Sequence, residues 1–267
     1  MNKKMKEAGY ASFELSDGEF KKTVFTKGDG PAIIIMHELP GMSPDTILFA
    51  NHLVKQGFKI YLPLMFGEPM MAADAASSAK NMAHLCVSKE FHLFTSGKTS
   101  PIVHWLRALC RQAHEECGGP GVGAIGMCLT GGFAIPLMVE PSMMAPALSQ
   151  PSLPVNPILG KDSLGCSEED YQAACARAKK ENMPIIGFRF SHDALAAKEK
   201  FERLNRELGD LFIDETIDSS LGNQAGLPIY AHSVFTHHFQ NNRSHPTYQA
   251  REKLVDFYQS RLMPQTK

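Results

Sequence analysis

The stretch Val122-Gly-Ala-Ile-Gly-Met-Cys-Leu-Thr-Gly-Gly-Phe133 decides the fold. Val122 to Gly126 read as a buried strand, Cys128 falls on a tight turn, and a helix is expected to open at about Leu129. Small residues on both sides of Cys128 suit a nucleophile elbow. That turn is so sharp that bulky flanking side chains would collide with neighbouring strands, and the nucleophile is lifted off the sheet top. The positive end of the helix would then lie beside the sulfur and favour the thiolate. The usual pattern, G-x-S-x-G, has serine as nucleophile. Here Gly126 holds the minus-two position, Thr130 stands at plus two, and the small residues move on to Gly131 and Gly132. A buried cysteine on an apolar strand–helix corner is the other reading, because free cysteine often behaves as a small hydrophobe.

Working outward, elements alternate on both sides of the turn. Ala11 to Leu15 and Phe20 to Phe25 flank Ser16-Asp17-Gly18 as a hairpin, and Ala32 to Met36 is a continuous apolar run of the kind buried in a parallel sheet. Ser43-Pro44-Asp45 starts a helix with an N-cap hydroxyl, a proline at the first position and an early acid; it ends at Gly57. Lys59 to Leu64 predicts a strand, followed by a Met-rich stretch, Met65-Phe-Gly-Glu-Pro-Met-Met71, and by a weakly helical pattern over 73–98. Ser100-Pro101 is expected to cap a helix that carries Ile102, Trp105, Leu106 and Leu109 on one face. Beyond the turn come a strand at Met143 to Leu148, a proline-rich connection over 151–159 and a helix from Ser167-Glu-Glu-Asp170 to about Glu181. A strand at Pro184 to Phe190, a helix from about Leu195 to Leu208, a strand at Leu211 to Ile217 and a helix at Pro246 to Leu262 complete the chain. This alternation predicts an α/β fold with a mainly parallel central sheet and helices on both faces, in one domain spanning 1–267.

Composition agrees with an ordinary globule: 267 residues, 43% hydrophobic and 21% charged. A net charge of −1 offers no general attraction to nucleic acid or to an anionic membrane. The apolar runs are strand-sized, and Met1-Asn-Lys-Lys-Met-Lys-Glu7 is not followed by the apolar segment of a secretory signal. Six cysteines are scattered without C-x-x-C pairs, so free thiols and a cytoplasmic location are expected. Composition leaves the oligomeric state open.

In open parallel sheets reactive groups collect beyond the carboxyl ends of strands. Glu38 follows strand 32–36, Cys128 follows 122–126, Asp193 follows 184–190, and His232 lies in the loop after 211–217. The order nucleophile, acid, histidine is that of the α/β-hydrolases. Each residue has a plainer explanation as well. Glu38 could be a carboxylate paired with a buried donor, and Asp193 an acid at a helix start. His192, His237, His238 and His245 compete with His232, although His237 and His238 read as an exposed or helix-end pair. A zinc motif H-E-x-x-H fails because Gly41 stands where the second histidine is needed.

The motifs His37-Glu38-Leu39-Pro40-Gly41, Gly126-Met-Cys-Leu-Thr-Gly-Gly132, Ser191-His-Asp193 and Ala231-His-Ser-Val-Phe235 resemble, in matching order, those of the dienelactone hydrolase family. The resemblance implies that Cys128 is the nucleophile, His232 the general base and then acid, and Asp193 the residue that orients His232. It makes Glu38 an extra carboxylate near the thiol, and it implies hydrolysis of a carboxylic ester or enol-lactone without metal or organic cofactor. The oxyanion would be held by the backbone N–H groups of Leu129 and Leu39. Met65, Phe66, Met127 and Thr236 are candidates for the substrate pocket, the methionines because their side chains adapt to irregular apolar ligands. Thr236 stands where relatives acting on dienelactone carry an arginine for the substrate carboxylate, so a different small ester or lactone is expected. A thiolate leaves a tetrahedral intermediate more readily than an unprotonated amine, which favours esters over amides. A thiol sensor or ligand-binding protein on the same fold, and an acyltransferase, are the alternatives.

Overall fold

The computed structural model describes residues 2–71, 74, 78–81, 91, 97–154 and 160–263. The weakly patterned 73–98 stretch falls largely outside them, as does the end of the 151–159 connection.

Among the described residues eight strands form one sheet: β1 (Ala11–Asp17), β2 (Phe20–Lys27), β3 (Ala32–Met36), β4 (Lys59–Pro63), β5 (Val122–Met127), β6 (Met143–Ser149), β7 (Ile185–Phe190) and β8 (Phe212–Ile217). Their spatial order is β1-β2-β4-β3-β5-β6-β7-β8. The β1–β2 and β2–β4 pairs are antiparallel, and every pair from β4–β3 to β7–β8 is parallel. The helices described over their full length are α1 (Lys3–Glu7), α2 (Pro44–Lys55), α3 (Ile102–Cys117), α4 (Ala134–Leu137), α5 (Glu168–Glu181), α6 (Lys198–Leu208) and α7 (Pro246–Leu262).

The apolar runs are buried on both faces because the pleat sends alternate residues to opposite sides. In β3, Ile34 and Met36 join a core with Trp105, Leu106 and Tyr171 of α3 and α5, whereas Ile33 and Ile35 join a second core with Phe49, Leu53 and Tyr258 of α2 and α7. Both cores are therefore specified by a period of two. A Cβ on Gly123 would lie 2.9 Å from the Tyr258 ring, so that glycine lets α7 approach β5.

Among the described residues no helix is long and apolar enough to cross a membrane. Ser43 and Ser167 cap α2 and α5 through their hydroxyls, accepting from Thr46 N (3.2 Å) and Asp170 N (3.1 Å).

Three expectations need correction. The N-cap of α3 is Pro101 rather than Ser100, and the Ser100 carbonyl accepts from Val103 N. Helix α6 begins at Lys198 rather than near Leu195, because Asp193 draws the Leu195 and Ala196 amides into a turn of its own. After Cys128 there is no long helix: a 3-10 turn, Cys128–Thr130, leads to the four-residue α4. Amides here bond three residues back, Gly131 N to Cys128 O (2.9 Å), Phe133 N to Thr130 O (2.9 Å) and Ile135 N to Gly132 O (3.1 Å), and Pro136 has no amide to give. The macrodipole expected beside the sulfur is correspondingly short.

Candidate active site

The turn after β5 is built by contacts that no side chain could share. A Cβ on Gly126 would sit 1.9 Å from the Thr130 carbonyl oxygen, and one on Gly132 would sit 2.0 Å from that of Leu164. Cys128 itself takes φ 57°, a left-handed conformation that costs a non-glycine residue about 1–3 kcal/mol. Thr130 helps to hold it there. Its hydroxyl accepts from Met127 N (3.0 Å) and donates to the Met36 carbonyl (2.8 Å), tying the turn to the end of β3. The plus-two threonine, a departure from G-x-S-x-G, is thus a brace.

From β7, Asp193 presents both carboxylate oxygens. Oδ1 accepts from the amides of Leu195 (3.0 Å) and Ala196 (3.3 Å), and Oδ2 accepts from His232 Nδ1 at 2.7 Å. Asp193 therefore caps a turn ahead of α6 rather than the helix itself, while its other oxygen holds the His232 ring. Tautomer and ring orientation of His232 follow from the Nδ1 bond. Its Nε2 faces the Cys128 sulfur, and Glu38, Cys128 and His232 each offer a polar atom within 4.8 Å of the others'. Burial works against an imidazolium at His232, but the neighbouring Cys128 sulfur and the hydrogen bond to Asp193 outweigh burial and push its proton affinity up to about 11.

Glu38 is 5% exposed. Its Oε2 accepts from Ser233 Oγ (2.8 Å) and Gln150 Nε2 (3.2 Å), and its Oε1 accepts from the Thr236 hydroxyl. Among the described residues no lysine or arginine lies within salt-bridge distance of it. Glu38 is thus held by buried neutral donors and lies beside Cys128. Preceding it, His37 is fully buried; its Nε2 accepts from Met65 N (3.1 Å) and its Nδ1 faces the Glu38 carbonyl (3.3 Å). Burial lowers its proton affinity to about 4, so it stays neutral and fixes the loop after β3.

A cavity of about 790 Å³ opens onto Cys128. Glu38, Leu39, Leu129, Asp193, His232 and Ser233 also line it. The expected pocket residues do not. Met127 points from β5 into the α2–α7 core, and Met65 and Phe66 pack into the opposite core against Phe91 and Trp105, so all three are buried as packing. Thr236 spends its hydroxyl on Glu38 and lies outside this cavity.

The sequence profile of the dienelactone hydrolase family matches residues 21–255. The chain belongs to the dienelactone hydrolase family. It is accordingly a hydrolase acting on ester bonds. Its fold is similar to that of a dienelactone hydrolase from Anabaena variabilis (TM-score 0.60, 12% identity, covering 95% of this chain and 98% of that one). It is also similar to a cold-adapted esterase from an Arctic intertidal metagenomic library (TM-score 0.57, 12% identity, 95% and 94% covered). A third is a dienelactone hydrolase-like promiscuous phosphotriesterase from metagenomic libraries (TM-score 0.57, 15% identity, 95% and 98% covered). No curated protein matches the sequence.

Several residues around this cleft escaped the sequence reading. Gln150 is fully buried in a left-handed conformation (φ 33°) at the end of β6, where it links Glu38 to the amide of Val234. His238 belongs to no helix end and is only half-exposed, unlike its neighbour His237. Its Nδ1 accepts from the amides of His232 and Ser233, both at 3.3 Å, and burial followed by the neighbouring histidines lowers its proton affinity to about 4. Lys200, 2% exposed, lines the cavity and donates to the carbonyls of Leu153 (2.8 Å) and Ser163, while burial brings its ammonium down to about 8. A signal for Lys200 was present: it lies four residues before Leu204 and eight before Leu208, on the apolar face of α6.

Proposed function

We propose that the chain hydrolyses a small carboxylic ester or lactone through a Cys128–His232–Asp193 triad and a thioester acyl-enzyme. The observation that carries this reading is the 2.7 Å bond between Asp193 Oδ2 and His232 Nδ1, which aims the other ring nitrogen at Cys128. The high proton affinity of His232 lets it take the thiol proton of Cys128, and the thiolate is the reactive form of a cysteine nucleophile. The thiolate attacks the acyl carbon, and the oxyanion forms next to the backbone N–H groups of Leu39 and Leu129. As that intermediate collapses, the imidazolium gives its proton to the departing alkoxide, leaving the acyl group on sulfur. Neutral His232 then takes a proton from water, whose attack on the thioester releases the acid and restores the pair.

Glu38 stands beside this pair as a second carboxylate, held by neutral donors. With Ser233 and Thr236 it ties the histidine loop to the loop after β3. Met65, Phe66, Met127 and Thr236 have no part in this reading; the acyl and alcohol portions occupy the cavity between Leu39, Leu129 and Leu195.

Hydrolysis of p-nitrophenyl esters of short acids tests the proposal. Cys128→Ala and His232→Ala are each expected to lower kcat/KM by roughly three orders of magnitude or more. Rates equal to wild type in both variants would remove the triad. A reactive Cys128 with no turnover would favour a thiol sensor, and transfer to an added alcohol in preference to water an acyltransferase.

A further inference from the structure

We infer that Glu38, Cys128 and His232 together form a binding site for a thiophilic divalent cation such as Zn2+, and that its occupation blocks the site. The inference uses the positions of these side chains and does not depend on their proposed catalytic roles. Sulfur, imidazole nitrogen and carboxylate oxygen are the donors that zinc takes, at about 2.3 Å for sulfur and about 2.0–2.2 Å for the others. A tetrahedron with those bonds sets its ligand atoms roughly 3.3–3.7 Å apart. Here the three donor atoms already lie within 4.8 Å of one another, so closure on an ion needs side-chain adjustments of about 1 Å. The fourth position would face the cavity, leaving it to water.

The surroundings support a metal as closely as the donors do. A zinc-bound histidine ordinarily gives its other ring N–H to a carboxylate. His232 does this at Nδ1 toward Asp193, and no other acceptor among the described residues occupies its buried Nε2. Ligating carboxylates are in turn hydrogen-bonded, and Glu38 is held by Ser233, Gln150 and Thr236 while its Oε1 retains a lone pair. Charge points the same way. Among the described residues Glu38 is a buried carboxylate without a lysine or arginine partner, and Zn2+ bound by one thiolate, one carboxylate and one neutral imidazole makes a site of zero net charge. Binding replaces the proton shared by Cys128 and His232 with the metal, and that proton is released to solvent.

Cadmium serves as the spectroscopic probe, because its bond to a thiolate gives an ultraviolet charge-transfer band. Wild-type protein freed of metal is expected to take up one Cd2+ per chain with that band, and Cys128→Ser to lose it. Glu38→Gln and Asp193→Asn, with circular dichroism unchanged, are expected to weaken Cd2+ binding by about 10–100-fold. One equivalent of Zn2+ is expected to slow iodoacetamide labelling of Cys128 in the wild type, with EDTA restoring it; that arm stands even if a variant fails to fold. A band persisting in Cys128→Ser, wild-type affinity in Glu38→Gln, or labelling of Cys128 indifferent to Zn2+ would each overturn the site. Stoichiometric Cd2+ binding by a protein without ester turnover would support the metal site while removing the proposed reaction; ester turnover without metal binding would do the reverse.

Discussion

The cysteine turn and the histidine loop meet in one cleft but are held in different ways. Cys128 is placed by backbone: a strand buried on both faces, glycines pressed against carbonyl oxygens, and one threonine hydroxyl bridging to β3. His232 stands between β8 and α7 in a stretch without regular structure, and side chains hold it. Asp193 takes its ring, His238 takes its amide, and Glu38 with Gln150 takes the next two residues. Damage to the first region should therefore be felt by the whole fold, and damage to the second mainly by turnover.

The largest expected effect breaks the turn. Gly126→Ala or Gly132→Ala puts a methyl group inside a backbone carbonyl contact, and a loss of about 3 kcal/mol or more is expected on urea denaturation. Near-wild-type stability in both would show that the turn yields more readily than its contacts imply. Acid should act instead on the loops beside it. His37 has a proton affinity near 4 in the folded protein against 6.5 unfolded, so the unfolded chain binds more protons between those values. Stability from its burial is full above pH 6.5 and is lost as pH falls toward 4, by about 3 kcal/mol. His37→Gln should flatten that dependence, as followed by thermal melts across the range. An unchanged slope would place the acid sensitivity elsewhere.

A smaller loss, about 1–3 kcal/mol, is expected for Thr130→Val, which keeps the shape but orphans the buried Met127 amide. The smallest effect on stability, about 1 kcal/mol, is expected for His238→Ala. There kcat should fall more than stability does, because the His232 amide loses its anchor, and His238→Asn should restore part of it with a side-chain acceptor. Equal kcat in all three proteins would mean that Asp193 alone positions the histidine.

The same contrast explains what could be read in advance. Alternating elements, the hairpin, the caps at Ser43 and Ser167 and the strand ends carrying Glu38, Cys128, Asp193 and His232 are local patterns, and their places in the fold follow from residue order. Thr130 looked like a lapse from a motif because its partner, the Met36 carbonyl, is 94 residues away. His238 looked like surface for a similar reason: an acceptor for backbone amides leaves no mark on hydrophobic periodicity. Met65, Phe66 and Met127 show the opposite failure. Apolar residues next to a reactive group suggest a pocket, yet the alternation along β5 already sent Met127 to the face away from Cys128. The short helix after Cys128 was also within reach, since Pro136 denies it a donor.

The central claim is that the acyl group passes through the Cys128 sulfur. Rapid quenching of a p-nitrophenyl acetate reaction in acid, followed by peptide mass spectrometry, tests it most directly. The account predicts an acetyl group on the peptide containing Cys128, formed during the burst and absent from Cys128→Ala. Acetylation at another residue on the time scale of turnover, or full turnover by Cys128→Ala, would contradict it.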